Sequence, residues 1–190
     1  MLYAGVQDSK LCLSTTDWSN DRCHVIRRES EKPCKIGVYV TLGVMQKLSF
    51  ALDVEDGWPP VAIEHVWCEK SGEVYELVNA PFFIHGLAFG DRFTAEPDAI
   101  NGCIFEFTVV ESSGHSLVWL LEREGLQLDD FKPKLLELGC RIEGLPAFKL
   151  HAIDVPASVE PMAVSEAVDR LEGLGFALAF PVWRHEQNGA

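Results

Sequence analysis

The chain is short of positive charge. It has 16 Lys and Arg against 29 Asp and Glu, a formal net charge of −13. Phosphate backbones and anionic bilayers need clustered cations, so neither nucleic acid nor a membrane surface is an expected partner. A basic protein partner remains compatible, through long-range attraction. None of the six cysteines stands in a C-x-x-C pair, which removes local support for zinc or a redox dithiol. No basic start followed by an apolar core opens the chain, and no apolar run nears the ~20 residues of a membrane helix. The expectation is a cytoplasmic protein with reduced thiols. No G-x-S-x-G elbow or D-x-D-x-D-G loop occurs, and no Gly-Lys-Ser/Thr follows Gly86 and Gly90. No catalytic residue, metal or cofactor is therefore expected.

What is present is ordinary globular text, with 47% hydrophobic residues. Residues 1–44 are polar and aperiodic, and nearly balanced in charge. They read as a poorly ordered N-terminal extension, with Met45 as an alternative start of translation. The acid excess belongs to residues 45–190. From Met45 the text turns to short alternating strands. Leu48, Phe50, Leu52 and Val54 share one face, and Asp56-Gly57-Trp58-Pro59-Pro60 breaks the run. Further strands are predicted over Val61–Glu69, Val74–Val78, Arg92–Ala95 and Cys103–Val110, separated by turns. Residues 45–113 thus read as a small antiparallel β-sheet or barrel. Asp56, Glu64, Glu69, Glu73 and Glu76 read as its solvated faces.

Residues 114–190 change pattern. A strand is predicted over Ser116–Glu122. A helix comes after it, capped by Asp129 or Asp130, with Pro133 in its first turn and Gly139 as its stop. Two strands come next, then a helix with Ser158 as N-cap and Val164, Val168 and Leu171 as its stripe. A last strand runs from Phe176 to Val182, with Phe176, Leu178, Phe180 and Val182 on one face. The order βαββαβ predicts a ferredoxin-like half, and the fold class is α+β. Leu117, Trp119 and Leu121 alternate with Val118 and Leu120, so this strand is apolar on both faces. Helices cover only one face of such a sheet. The first sheet, or a second copy of the chain in a homodimer, is expected to cover the other.

The candidate site gathers the residues able to hold a ligand. His115 comes directly after Ser113 and Gly114 in a turn, and a histidine beside a hydroxyl can transfer protons. His85 and Asp91 flank a glycine-rich loop, as a histidine–carboxylate pair would. Asn79, Phe82 and Phe83 place two aromatics beside a turn, where they floor a pocket or plug a core. The expected binding cleft is Asn79, Phe82, Phe83, His85, Asp91, Ser113 and His115, at the junction of the two halves. The tail Trp183-Arg184-His185-Glu186 carries no reading of its own.

Several uncommon strings recur together. They are Asp56-Gly57-Trp58-Pro59-Pro60, Glu64-x-x-Trp67-x-Glu69, Asn79-Ala80-Pro81-Phe82-Phe83, Gly86-Leu87-Ala88-Phe89-Gly90-Asp91, Ser113-Gly114-His115-Ser116, Leu138-Gly139-Cys140 and Ala152-Ile153-Asp154-Val155-Pro156. In this order they resemble a bacterial family, domain of unknown function 4265, over about residues 46–183. The resemblance implies family boundaries and no activity. The expected function is a non-catalytic binding or regulatory module for a protein or small-molecule ligand. One alternative is an immunity-type protein that neutralises a basic effector. The other is a hydrolase-like enzyme using His115 or His85.

Overall fold

The computed structural model describes residues 13–14 and 44–186. They form a mixed α+β chain of two sheets and few helices. The first sheet contains β1 (Leu13–Ser14), β2 (Val44–Ala51), β3 (Ile63–Ser71), β4 (Val74–Leu77), β5 (Arg92–Ala95), β6 (Cys103–Ile104) and β7 (Phe107–Glu111). Its strand order is β6-β2-β3-β4-β5-β7, with β1 parallel to the start of β3. The alternation in the sequence predicts no strand so early in the chain. The other expectations for residues 1–43 lie outside the described residues, as do Cys12, Cys23 and Cys34.

Connectivity makes this sheet curl. β6 and β7 end the strand order on opposite sides, yet only Phe105 and Glu106 join them. A flat path across six strands would part them by roughly 24 Å. The link from Ile104 to Phe107 reaches at most about 11 Å. The sheet therefore bends around its core, where Phe50, Phe93 and Phe107 meet with ring centroids 5.8–6.0 Å apart. The single strand expected over Cys103–Val110 is thus two strands, because β6 pairs with β2 and β7 with β5. β2 stops at Ala51, and Val54 is exposed beyond it.

The second sheet holds β8 (Ser116–Leu121), β9 (Arg141–Leu145), β10 (Leu150–Val155) and β11 (Ala177–Val182). Helices α1 (Lys132–Glu137) and α2 (Pro161–Gly173) belong with it. All its pairs are antiparallel, in the order β11-β8-β10-β9. Both helices open on a proline in the first turn, where no intrahelical donor is lost. Neither has a side-chain cap. Phe131 and Glu160 occupy the N-cap positions instead of Asp129 and Ser158. Asp129 pairs with Lys132 at 2.6 Å, and a 3-10 turn over Leu128–Asp130 displaces the helix start. Gly139 stands just after α1 at φ 88°, a left-handed conformation that glycine adopts without strain.

The two faces of β8 go to different cores. Val118 and Leu120 join Ile153, Val155, Leu135, Val164, Leu171 and Phe176 under the helices. Leu117 and Trp119 join Leu150, Ala152 and Val182, and there they meet Val61, Ala80, Phe82, Phe83 and Ala88. The cover comes from Val61 and the loop after β4, rather than from the strands of the first sheet. β11 also departs from simple alternation. A bulge between Ala179 and Val182 sets Val182 opposite Leu117, while Leu178 stays under the helices and Phe180 is exposed.

Candidate functional site

Residues 79–91, between β4 and β5, belong to neither sheet yet touch both. Ile84 and Leu87 enter the core of the first sheet. Ala80, Phe82, Phe83 and Ala88 lie on the second. A buried backbone without strand partners must bond elsewhere. Here carboxylates take that role. Phe82 N–H donates to Glu64 Oε1 at 2.6 Å and Phe83 N–H to Glu64 Oε2 at 2.8 Å. Ala80 N–H donates to Glu143 Oε1 and Ala88 N–H to Asp91 Oδ2. Trp119 Nε1–H donates to the Pro81 carbonyl at 2.8 Å. Asn79 Oδ1 accepts from Trp67 N–H at 2.7 Å.

Asp91 is fully buried and accepts from five donors: the N–H groups of Ala88 and Ser113, the Ser113 hydroxyl, and both Nη groups of Arg184 at 2.8 Å. Burial pushes its pKa up, but the Arg184 fork and the two amides outweigh that and hold it below the ordinary value. Two glycines permit the tight approach. Gly90 and Gly114 both have φ near 77°, and a Cβ on Gly114 would come within 2.9 Å of Ala157 Cβ. Glu64 behaves oppositely. Its burial outweighs its amide bonds and lifts its pKa to about 7. The alternation of acids in this strand suggests a solvated face, but Glu64 points inward beside Val66 and Cys68 and is 2% exposed.

At the rim of the loop, His115 Nδ1–H donates to Asp154 Oδ1 at 2.7 Å, and Nε2 has no partner among the described residues. Arg141 Nε lies 3.3 Å from Asp154 Oδ2, without the angle of a hydrogen bond. Its guanidinium stacks 3.8 Å over the Phe89 ring, and Phe89 in turn leans on His115 with centroids 5.7 Å apart. Arg141 is 54% exposed and Asp154 only 3%. Burial raises the pKa of Asp154 against the pull of His115 and Arg141, and burial also raises that of Glu143. Oxygens Glu143 Oε2 and Asp154 Oδ2 are buried without a hydrogen-bond partner among the described residues.

The structure brings Asp91, Ser113 and His115 into one bonded group through Arg184, which also donates to the His115 carbonyl. Asn79, Phe82 and Phe83 are buried at 6%, 2% and 5% exposure and serve the core between the sheets. His85 is exposed and sets its ring against Trp119 at 4.8 Å. Trp119 lies four positions along β8 from His115, roughly 13 Å, so the two histidines attend different rows. The hydroxyls beside His115 are committed. Ser113 Oγ donates to Asp91. His185 Nε2 donates to the Pro156 carbonyl, which leaves Nδ1 to accept from Ser116 Oγ.

Sequence reasoning missed Arg184, Asp154, Arg141, Glu64 and Glu143. The available signal was an acid at an inward position of an alternating strand: Glu64 before Val66 and Cys68, and Asp154 after Leu150 and Ala152. A polar depression of about 250 Å³ lies at the other end of β8, lined by Glu122, Arg123, Gln127, Asp130 and Lys149, among others. No group of three or more His, Cys, Asp or Glu among the described residues is arranged to hold a metal. Cys68 and Cys140 are buried free thiols, pushed up to about 12 and about 11 by desolvation. No helix among the described residues is long and apolar enough to cross a membrane.

This arrangement defines a strand-rich α+β protein with a loop clamped between two sheets. The chain belongs to the family Domain of unknown function (DUF4265), whose profile matches residues 64–178, from β3 into β11. That stretch is shorter at both ends than the one marked by the motifs. A comparison with curated proteins finds no match. Among solved structures, a hypothetical protein from Neisseria gonorrhoeae is similar at a TM-score of 0.54 and 13% identity. The likeness covers 70% of this chain and 93% of that one, and it speaks to the fold alone.

Proposed function

We propose that the protein is a non-catalytic binding module of the bacterial cytoplasm, with its contact surface on the rim formed by Phe89, His115 and Arg141. One observation carries this reading. His115 is fixed through Nδ1 to a buried carboxylate, its Nε2 has no partner among the described residues, and Phe89 joins its ring to the exposed guanidinium of Arg141. A ring held so firmly at one nitrogen and left unpaired at the other is ready for a ligand. The order β11-β8-β10-β9, with helices after β8 and β10, supports a ferredoxin-like reading of the second sheet. The loop 79–91 occupies that sheet's open face, which leaves its rim for contacts.

A second reading has its own support. A 2.7 Å contact from a carboxylate to Nδ1 is also how an enzyme orients a histidine base. Against it, the Ser113 and Ser116 hydroxyls bond to the side chains of Asp91 and His185 rather than to the His115 ring. The deciding experiment pairs a fragment screen, read on the ring ¹³Cε1 signal of His115, with a panel of chromogenic esters, amides and phosphoesters. Saturable shifts without turnover are expected. Turnover that disappears in His115→Ala, at an unchanged thermal midpoint, would overturn the binding reading.

A further inference from the structure

The geometry points to an oxyanion subsite on this rim: Arg141 and His115 together take one carboxylate or phosphate group of a small molecule. The inference rests on the binding reading and adds the chemistry of the ligand. Both side chains meet the same buried residue: His115 is hydrogen-bonded to Asp154 Oδ1, and Arg141 Nε lies 3.3 Å from Oδ2. Asp154 stands on β10 directly opposite Arg141 of β9 and Leu117 of β8, two positions beyond His115. The pleat therefore sends Arg141, Asp154 and His115 to the same face.

Arg141 is oriented without using its donors. Stacking on Phe89 at 3.8 Å fixes the plane of the guanidinium, and its Nε approaches Asp154 at 3.3 Å without a hydrogen-bonding angle. Both Nη groups have no partner among the described residues, on a side chain that is 54% exposed. Their planar fork matches the two oxygens of a carboxylate or phosphate. Stacking lowers the ordering cost that a long side chain ordinarily adds to binding. Contrast Arg184, whose fork is filled by Asp91.

His115 supplies the second donor. Its Nδ1 is held by Asp154, so Nε2 is the nitrogen left to meet an anion, as a donor when it carries a proton. The charged groups around that ring are Asp154 on β10, Arg141 and Glu143 on β9, and Arg184 after β11, which is already paired with Asp91. Asp154 offsets one cation, and burial raises the pKa of Glu143, which keeps the neighbourhood from turning strongly negative. In a chain of formal charge −13, such a paired cationic point selects a small anion more readily than an extended acidic surface.

The test uses the full chain with ¹³C-histidine and ¹⁵N-arginine labels. It is titrated with sodium phosphate and with sodium acetate, each at constant ionic strength in chloride. Saturable shifts of Arg141 Nε and His115 Cε1 by ~10 mM, weakened about 10-fold or more in Arg141→Gln and less in Arg141→Lys, are expected. Response to phosphate alone, to acetate alone or to both assigns the source of the oxyanion, and each supports the subsite. The absence of a saturable shift with either anion, or shifts unchanged in Arg141→Gln, would overturn it. Acetamide and methylammonium form the separating arm. If they bind at His115 and neither anion does, the oxyanion inference falls while the binding reading stands. The thermal midpoint of each variant keeps a folding defect from passing as lost binding.

Discussion

On one face of the second sheet, Val118, Leu120, Ile153 and Val155 meet side chains from α1 and α2, elements that come after the same strands in sequence. On the other face, Leu117, Trp119 and Ala152 meet Ala80, Phe82 and Phe83 from a distant loop, and polar anchors surround them. The first closure is apolar and non-directional, at about 25 cal/mol for each Å² removed from water. The second is directional. The loop backbone stays fixed because Glu64, Glu143 and Asp91 accept its N–H groups, and each carboxylate must recover a desolvation penalty of several kcal/mol. Apolar burial suffices where an element carries its own internal hydrogen bonds, as a helix does. A loop carries none, so charge enters the interior to complete it.

The two buried acids show how that balance can fall either way. Asp91 gains an arginine fork and stays ionised, whereas Glu64 gains only amides and is lifted towards neutrality. Removing the fork should have the largest effect. Arg184→Met is expected to lower unfolding free energy by roughly 3–5 kcal/mol in urea, because it strands a buried carboxylate. A loss below about 1 kcal/mol, the range of exposed pairs, would remove Asp91 from the account.

The next effect is on pH. The folded chain keeps a proton on Glu64 up to about 7, while an unfolded glutamate releases it near 4.5. The folded state thus binds more protons in that window, so stability is full below 4.5 and falls as pH rises through 7, by on the order of 3 kcal/mol. Asp154 and Glu143 are raised too and share this sign. Asp91, depressed below 3.8, has the opposite sign, and its contribution disappears only in stronger acid. Glu64→Gln should flatten the slope between pH 5 and 8. Wild-type stability that rises across this interval would contradict the assignment.

The same contrast explains what could be read beforehand. The apolar text of β8 on both faces, the stripe of α2 and the prolines that open both helices were legible because strand and helix periods are local. The need for a cover on Trp119 came directly from them. The identity of the anchors did not. Arg184 reaches Asp91 across 93 positions, Glu143 reaches Ala80 across 63, and His115 meets Asp154 across 39. No local period encodes such pairs. Asn79, Phe82 and Phe83 stand out as a pocket floor because two aromatics beside a turn look alike whether they face a ligand or a sheet. The missing caps of α1 and α2 have a similar cause: a 3-10 turn and a backbone N-cap at Glu160 leave Asp129 and Ser158 without that role.

The loop 79–91 is tied to β3 through Glu64 and to β9 through Glu143, so the two sheets should open as one cooperative unit. Native-state hydrogen exchange in low urea tests it most directly, read at the amides of Phe82 and Phe83 together with those of β3 and β10. A common opening free energy and a common urea dependence are expected for all of them, since the loop cannot release one sheet without exposing the other. Exchange of the β10 amides through a separate, lower-energy opening, with β3 still protected, would contradict it.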